Sequence, residues 1–357
     1  MTAGPIISGE YPAVGVVAGH LVTLHYGNIA GEYAALGDGA MLVDRSLRGR
    51  MRFDGPKAAE MLTGLVTNDV LALAPGHGQY AAALSPKGRI VADVRIFARA
   101  DHLLVDVPPR ARAGWDALVR KYINPRAAPY LDIAGEMRQL AIAGPAARAI
   151  AGGAASLARE ALAGLVPYAH IDAEIAGRPA MIVRIPDLDA DGYEIFFPAD
   201  SFGAIWQRLM AGGATPGGLI AWEIARIENG RPEWGIDIDE TTIPQEANLE
   251  ELHAISFTKG CYTGQEVVAR IHFRGHVNRH LRGLRLGHNE PPPEKAPLLS
   301  LDGKQIGEVR SSALSPRMGA IAMVMVRREV EMDSPVLVEG ANGTIQGQVV
   351  ALPFVQE

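Results

Sequence analysis

The sequence predicts a mixed α+β protein that ends in a small β-barrel domain. At 357 residues the chain exceeds the size at which one hydrophobic core usually stops growing, so two or three packed domains are expected. Over most of the chain, helix-like and strand-like stretches alternate without a fixed period. From about residue 278, short apolar runs separated by turn residues take their place, which is the spacing of an all-β domain.

Periodicity places the main elements of the mixed part. Trp115, Leu118, Val119 and Tyr122 recur at three- and four-residue spacing, which predicts a helix over residues 111–123. Similar patterns predict further helices at residues 56–65, 146–163 and 220–230, the second of these broken at Gly152-Gly153. Apolar or alternating runs predict strands at residues 41–43, 90–98, 102–107 and 137–143.

The last part of the chain has the pattern of consecutive hairpins. Apolar runs cover residues 281–286, 321–326 and 336–338. Asp302-Gly303 and Asn342-Gly343 offer tight hairpin turns between such runs. A small barrel is therefore expected here.

Composition and charge exclude several classes of protein. Apolar residues make up 48% of the chain and charged residues 21%, as in ordinary globular proteins. The formal charge of -6 argues against a general polyanion-binding protein, since phosphate contacts need concentrated Lys and Arg. The start, Met1 to Pro5, lacks a basic region, and no run approaches about eighteen apolar residues, so we predict a cytoplasmic protein without signal peptide or membrane span.

The single cysteine, Cys261, excludes an internal disulfide and a cluster held by four thiolates of this chain. Cys261 follows Lys259 by two residues, precedes Tyr262, and stands between Gly260 and Gly264. A neighbouring ammonium lowers the pKa of a thiol, and glycines let a backbone approach a ligand closely. Cys261 and Lys259 are therefore candidate catalytic residues. The open alternative is that Cys261 is a small buried hydrophobic residue.

The motif KGCYTGQE at residues 259–266 resembles the signature of the YgfZ family, which includes the mitochondrial iron–sulfur assembly factor. The resemblance extends upstream through residues 226–235 and 244–249. Other blocks are similar to the wider glycine-cleavage T-protein (GcvT, aminomethyltransferase) superfamily, so the likeness covers nearly the whole chain. These blocks are residues 39–46, 65–70, 88–94, 192–195 and 353–354.

This resemblance implies a T-protein-like ring of three domains around a central cavity that accepts tetrahydrofolate. Residues 1–50 and 135–277 would form a discontinuous α+β core. Residues 51–134 would form an inserted α+β domain at the folate cavity, and residues 278–357 a C-terminal β-barrel that closes one side.

Two acids are candidate folate ligands by resemblance. Asp93 matches the carboxylate that T-proteins place beside the reactive nitrogen of the folate, where it can accept a proton or stabilise developing positive charge. Its paired acid is Ala92 here, which argues against the usual aminomethyl transfer. Glu194 matches the acid that accepts hydrogen bonds from the pterin. The alternatives are a turn-capping acid for Asp93 and a strand residue on a solvated face for Glu194.

Arg226 and Glu228 lie in the predicted helix over residues 220–230, where the charged pair is expected to face the cavity. Arg226 would bind the anionic tail of the folate, and Glu228 would contribute to the same pocket. A structural salt bridge is the alternative. Tyr262 and Trp234 are candidates to stack on the pterin, with core packing as the alternative.

Cations and histidines are interleaved over the stretch that follows the cysteine motif. This basic strip consists of Lys259, Arg270, Arg274, Arg279, Arg282, Arg285, His272, His276 and His280. Polyglutamyl folate or RNA are possible ligands, with a solvated charged face as the alternative. We predict no metal site, because no Cys, Asp or Glu completes a ligand set with these histidines.

These features lead to three hypotheses for the function. The first is a folate-binding factor that supports iron–sulfur cluster assembly or repair in client proteins, including enzymes that modify tRNA, with Cys261 as the reactive residue. The second is a tetrahydrofolate-dependent aminomethyltransferase, methyltransferase or demethylase with Asp93 as acid–base residue. The third is a non-catalytic protein that binds folate or RNA.

Overall fold

The computed structural model describes residues 12–340 and 343–354. The sequence predictions at Met1 to Pro5 and at Asn342 therefore lie outside the described residues. Within the described ranges, no helix has both the length and the apolar character needed to cross a bilayer.

The described strands and helices follow one another along the chain with short connections. The strands are β1 (Ala13–Val17), β2 (His20–His25), β3 (Met41–Asp44), β4 (Gly49–Phe53), β5 (Gly78–Leu84), β6 (Ile90–Ala98), β7 (Leu103–Val107), β8 (Tyr130–Asp132), β9 (Met137–Ala143), β10 (His170–Ile175), β11 (Arg178–Arg184), β12 (Gly192–Pro198), β13 (Thr215–Pro216), β14 (Arg279–Leu286), β15 (Pro297–Leu299), β16 (Gln305–Ser315), β17 (Gly319–Arg327), β18 (Pro335–Gly340) and β19 (Gly343–Val350). The helices are α1 (Ile29–Asp38), α2 (Ala58–Leu65), α3 (Arg112–Tyr122), α4 (Ala147–Ala154), α5 (Arg159–Ala163), α6 (Phe202–Ala211), α7 (Leu219–Glu228) and α8 (Gln265–Arg274).

A five-stranded antiparallel sheet in the order β5-β6-β7-β4-β8 carries the first half of the central cavity. Successive side chains of a strand point to opposite faces. In β6, Ala92 and Val94 therefore pack into one core with Trp115 of α3. Asp93 and Arg95 point to the opposite face, where they line the cavity.

A six-stranded sheet in the order β10-β11-β12-β9-β3-β13 carries the second half. Alternation in β12 sends Tyr193 and Ile195 into a core that includes residues of α4 and α6. Phe196 points the other way, and its ring lies edge-on to Phe97 of β6 with 5.6 Å between centroids. The two sheets thus face each other through a shared apolar core, next to which the cavity lies.

The strands from β14 onward form a closed barrel in the order β14-β17-β16-β15-β18-β19. Its outer side packs on α7, where Ile227 contributes to one apolar cluster with Leu281 and Met323. Ser311 of β16 also donates a hydrogen bond of 2.5 Å to Oδ1 of Asp237, which ties the barrel to the loop after α7. The barrel predicted from the turn spacing is therefore confirmed.

The predicted helix break at Gly152-Gly153 is wrong. Both glycines lie inside α4, which continues to Ala154. The chain turns instead at Ser156, whose φ of 53° leaves the helical region. The mixed α+β class is confirmed, whereas the domain boundaries at residues 50, 134 and 277 stay predictions.

Candidate active site

A cavity of about 50 Å³, open to solvent on one side, lies between the two sheets, α7 and the loop that follows it. Its wall combines charged and aromatic side chains. They are Arg45, Arg48, Arg95, Arg226, Arg231, Asp93, Asp187, Glu233, Tyr80, Tyr168 and Trp222.

Among the acids that line the cavity, Asp93 has the environment expected of a residue that exchanges a proton. It lies inside β6 and is 6% exposed, so the turn-capping alternative is wrong. Tyr80 Oη donates a hydrogen bond of 2.9 Å to Asp93 Oδ2, while Oδ1 is buried and has no partner within the described residues. Burial, followed by the charge of Glu233, raises the pKa of Asp93 to about 6. A carboxyl of this kind can exchange a proton near neutral pH.

Arg95 forms ion pairs with two buried acids that lie behind the cavity wall. Its Nη2 lies 2.5 Å from Oδ2 of Asp106 and 2.7 Å from Oε2 of Glu194. Arg48 Nε also approaches Asp106 Oδ2 at 2.7 Å. Burial opposes the charge of Asp106, but Arg48 and Arg95 together lower its pKa to about 2. The acids behind the wall therefore fix the arginines that face the ligand space.

Glu194 belongs to this network and not to the cavity surface. It is fully buried, so the solvated-face alternative is wrong. Its Oε2 pairs with Arg95 and accepts a hydrogen bond from Gln139. Its Oε1 has no partner among the residues described. The predicted contact of Glu194 with a pterin stays a prediction, and it would require the ligand to reach past Arg95.

Arg226 lines the cavity but is already neutralised. Its guanidinium lies 2.8 Å from Glu223 and 2.6 Å from Asp237, and Nη1 donates to the carbonyl of Arg231 at 2.6 Å. Burial opposes its charge, but Glu223 and Asp237 raise its pKa above the ordinary value. This is the arrangement that the salt-bridge alternative describes.

Glu228 does not face the same space as Arg226. It accepts hydrogen bonds of 2.7 Å from Tyr33 Oη and from Arg317 Nη2, and a further one from Ser315. It lines a second cavity between α1, α7 and the β16–β17 turn. The expectation that Arg226 and Glu228 share one pocket is therefore wrong, because two residues along a helix point in different directions.

The cysteine motif lies away from the cavity wall. Cys261 is exposed, so the buried-hydrophobe alternative is wrong. The ammonium of Lys259 donates to the carbonyls of Val66 at 2.5 Å, Asn68 at 3.0 Å and Thr63, at the C-terminal end of α2. Tyr262 is buried in the core shared by the two sheets, and burial raises its pKa to about 12. Tyr262 thus packs in the core, as the alternative to pterin stacking expects.

The basic strip does not lie on one element: Arg270, His272 and Arg274 are in α8, Arg279, His280, Arg282 and Arg285 are in β14, and Lys259 and His276 are in the adjoining loops. Arg270 and Arg274 are exposed on α8. Arg279 is paired with Glu246 at 3.1 Å, and His272 with Glu250 at 2.8 Å. Part of the strip is thus neutralised by acids from the preceding loop.

Two family models match this chain consecutively. The GCVT N-terminal domain matches residues 11–259, and the glycine cleavage T-protein C-terminal barrel domain matches residues 279–356. The chain belongs to the glycine cleavage T-protein family. Tetrahydrofolate, which the resemblance implies, is the cofactor that aminomethyltransferases of this family use.

Relatives of this T-protein family member align with it over nearly their whole length and nearly the whole of this chain. An aminomethyltransferase of Rubrobacter xylanophilus is 30% identical over 344 residues, which covers 94% of this chain and 89% of that protein. One from Bacillus subtilis is 29% identical and covers 93% and 92%. The crystal structure of the glycine cleavage system aminomethyltransferase T from Bartonella henselae has a TM-score of 0.86 at 24% identity, over 97% of this chain and 95% of that one. The predicted T-protein-like fold is thereby confirmed.

Several residues that line the cavity of this T-protein family member were not predicted from the sequence. Arg95 could have been predicted, since it follows Asp93 by two residues and must point to the same face of β6. Arg45, Arg48 and Tyr168 lie in turns and loops, where periodicity carries no information about direction.

Proposed function

We propose that this chain is a tetrahydrofolate-dependent one-carbon transferase of the aminomethyltransferase type, with Asp93 as its acid–base residue. The observation that carries the proposal is the state of Asp93. It is buried on the cavity wall, one carboxylate oxygen accepts a hydrogen bond from Tyr80, the other has no partner among the residues that the structure describes, and its pKa is raised to about 6. The relatives named aminomethyltransferase support the same function.

The cavity wall fits a folate in chemical character. Tyr80 and Tyr168 lie nearly parallel with 6.5 Å between their ring centroids, and Trp222 adds a third aromatic surface. Planar heterocycles pack well on such rings. Asp93 Oδ1 and the carboxylate of Asp187 offer acceptors for ring N–H groups. These residues would hold the pterin, and Arg231 at the less buried part of the wall would meet the anionic tail.

When bound, the folate supplies a nitrogen that accepts the one-carbon unit. The contribution of the chain is to control the proton on that nitrogen. Asp93 as carboxylate can take up the proton that is released when a carbon bond forms there, and it stabilises the positive charge that develops before release. Tyr80 fixes the orientation of the carboxylate through its hydrogen bond. The buried wall limits water at this point, so the electrostatic effect is strong.

The experiment is to mix purified protein with tetrahydrofolate and an aminomethyl or N-methyl donor, and to detect one-carbon adducts of the folate by mass spectrometry. We expect turnover by the wild type and a loss of about 10²- to 10⁴-fold in Asp93→Asn, because general acid–base catalysis contributes that much. Equal turnover by both proteins would exclude Asp93 from the proposed role.

A second function is favoured by a specific observation. The motif of the YgfZ branch is complete at residues 259–266, its cysteine is exposed, and Ala92 replaces the paired acid. These features support a cytoplasmic folate-binding factor for iron–sulfur cluster assembly or repair, including clusters of tRNA-modifying enzymes. In this function Cys261 would meet a client protein at the surface, and the exposed arginines Arg270 and Arg274 would add weak contacts to protein or RNA.

This second function is tested in a host that lacks the corresponding gene. Wild-type protein should restore the activity of iron–sulfur enzymes, Cys261→Ser should not, and Asp93→Asn should be tested alongside. Restoration by Cys261→Ser at normal protein levels would remove the thiol from the function. Failure of Asp93→Asn together with success of Cys261→Ser would favour the transferase alone.

A further inference from the structure

Arg45 is a buried cation on the cavity wall that forms no ion pair within the described part of the chain, although Glu194 and Glu233 act on its charge from farther away. It is 7% exposed and follows directly after β3. Its guanidinium carbon lies 4.5 Å from the ring centroid of Trp222. Within the described ranges no carboxylate approaches it to 4.0 Å, and its Nε makes no hydrogen bond.

The other buried arginines of the wall differ from Arg45 in this respect. Arg48 pairs with Asp106 at 2.7 Å, and Arg226 with Asp237 at 2.6 Å. Arg231 also lacks an acid in the described parts of the chain, but it is only half-buried and donates to the carbonyl of Pro186. Burying an unpaired guanidinium costs free energy, so a retained one indicates that an anion completes the site.

The stack on Trp222 determines what kind of anion fits. A guanidinium held over an aromatic ring loses part of its freedom and can still donate through its N–H groups. Two parallel N–H donors of a guanidinium match the two oxygens of a carboxylate. The side chain is thus preorganised for one planar carboxylate.

The position of Arg45 separates two sources of that carboxylate. Arg45 and Arg48 belong to one turn, in which Arg48 N donates to Arg45 O, and the charge of Arg48 acts on Asp93. Arg45 and Asp93 thus line the same cavity, in which one-carbon transfer is proposed. A folate tail has two carboxylates that retain contact with water, and the half-buried Arg231 suits it better than a fully enclosed cation.

We propose that Arg45 binds the carboxylate of the one-carbon donor, so that the donor is a small carboxylic acid bearing an N-methyl, N-methylene or O-methyl group. This inference rests on the proposed transferase function and adds the substrate class to it.

The test is calorimetric titration with N-methylglycine and methoxyacetate, and with N-methylglycinamide as the matched compound without a carboxylate. Each titration is done with and without saturating tetrahydrofolate. The variants are Arg45→Met, Arg45→Lys in case the first does not fold, and Arg178→Met, an exposed arginine on β11, as control. We expect the wild type to bind the acids at least about tenfold more tightly than the amide.

Arg45→Met should weaken binding of the acids about 10- to 100-fold and leave the affinity for the amide and for tetrahydrofolate unchanged. Arg45→Lys should lose about tenfold, since it keeps the charge but not the paired donors. Arg178→Met should match the wild type.

The proposal is overturned if the wild type does not distinguish acids from the amide. It is also overturned if Arg45→Met weakens tetrahydrofolate as much as the acids, which would assign Arg45 to the folate tail. Absence of tetrahydrofolate binding by the wild type is a separate result that opposes the transferase function. Acid binding measured without folate would then still decide the role of Arg45.

Discussion

Tyr80 Oη and Asp93 Oδ2 are joined by a hydrogen bond of 2.9 Å across neighbouring strands β5 and β6. The bond leaves Asp93 Oδ1 as a buried acceptor without a partner among the described residues. A carboxylate in this state is oriented, poorly hydrated and raised in pKa. Strongly perturbed pKa values cluster at functional sites.

The first prediction concerns Asp93 and stability. Its pKa is raised from 3.8 to about 6, so the folded protein binds a proton more tightly than the unfolded chain between these values. The wild type therefore loses stability as pH rises from about 4 to 6, and the cost remains above pH 6. Asp93→Asn removes the cost and should raise the free energy of unfolding by about 1–3 kcal/mol at pH 8, with little effect at pH 3.5. Urea titration at both pH values measures this, and an equal effect at both would contradict it.

The second prediction concerns the orientation of Asp93. The hydrogen bond from Tyr80 lowers the pKa of Asp93. In Tyr80→Phe we expect the pKa of Asp93 to rise further, so that the acid limb of the turnover profile moves to higher pH. Tyr130→Phe, at a partly exposed tyrosine of β8, is the matched control. Unchanged pH profiles in both variants would argue that Asp93 does not limit the rate.

The third prediction separates Lys259 from Cys261. Removing the ammonium in Lys259→Met leaves carbonyls of Thr63, Val66 and Asn68 without their donor, so the free energy of unfolding should fall by about 2–4 kcal/mol. Cys261→Ser, at an exposed position, should stay within about 0.5 kcal/mol of the wild type. Chemical denaturation measures both values. A stable Lys259→Met protein with an altered thiol reactivity would instead support a direct role beside Cys261.

The fourth prediction concerns Arg95. Arg95→Met leaves Asp106 and Glu194 with one cation fewer in a buried site, so we expect a loss of about 3–5 kcal/mol or failure to fold. Adding Glu194→Gln removes one of the uncompensated charges and should recover part of the loss. A double-mutant cycle on thermal unfolding gives the coupling, and strict additivity would show that the two side chains do not interact.

The sequence carries much of this fold because local signals and tertiary structure agree. The helix at residues 111–123 and the strand at Met137–Ala143 follow their periodicity, and the barrel follows its turns. The glycine pair misleads, since Gly152 is buried in α4 and packs beside Leu162. Intrinsic helix propensity is overridden there by tertiary contacts.

Less of the candidate site than of the fold can be predicted from the sequence. Asp93 can be found by resemblance, and alternation explains why it faces inward. The role of Lys259 depends on the end of α2, almost two hundred residues earlier, whose free carbonyls attract the ammonium. Arg45 is distinctive because it is buried without an ion pair to any described residue, and a missing ion pair is visible only once the chain is folded.

The most direct test of the folate cavity is calorimetric titration with tetrahydrofolate of the wild type, Leu252→Trp and Leu301→Trp. Leu252 lines the cavity, so an indole there fills the ligand space, whereas Leu301 is 61% exposed in a turn and serves as control. We expect saturable binding by the wild type and the control, and a loss of at least about tenfold in Leu252→Trp. No binding by the wild type at millimolar ligand, or equal binding by all three proteins, would contradict it.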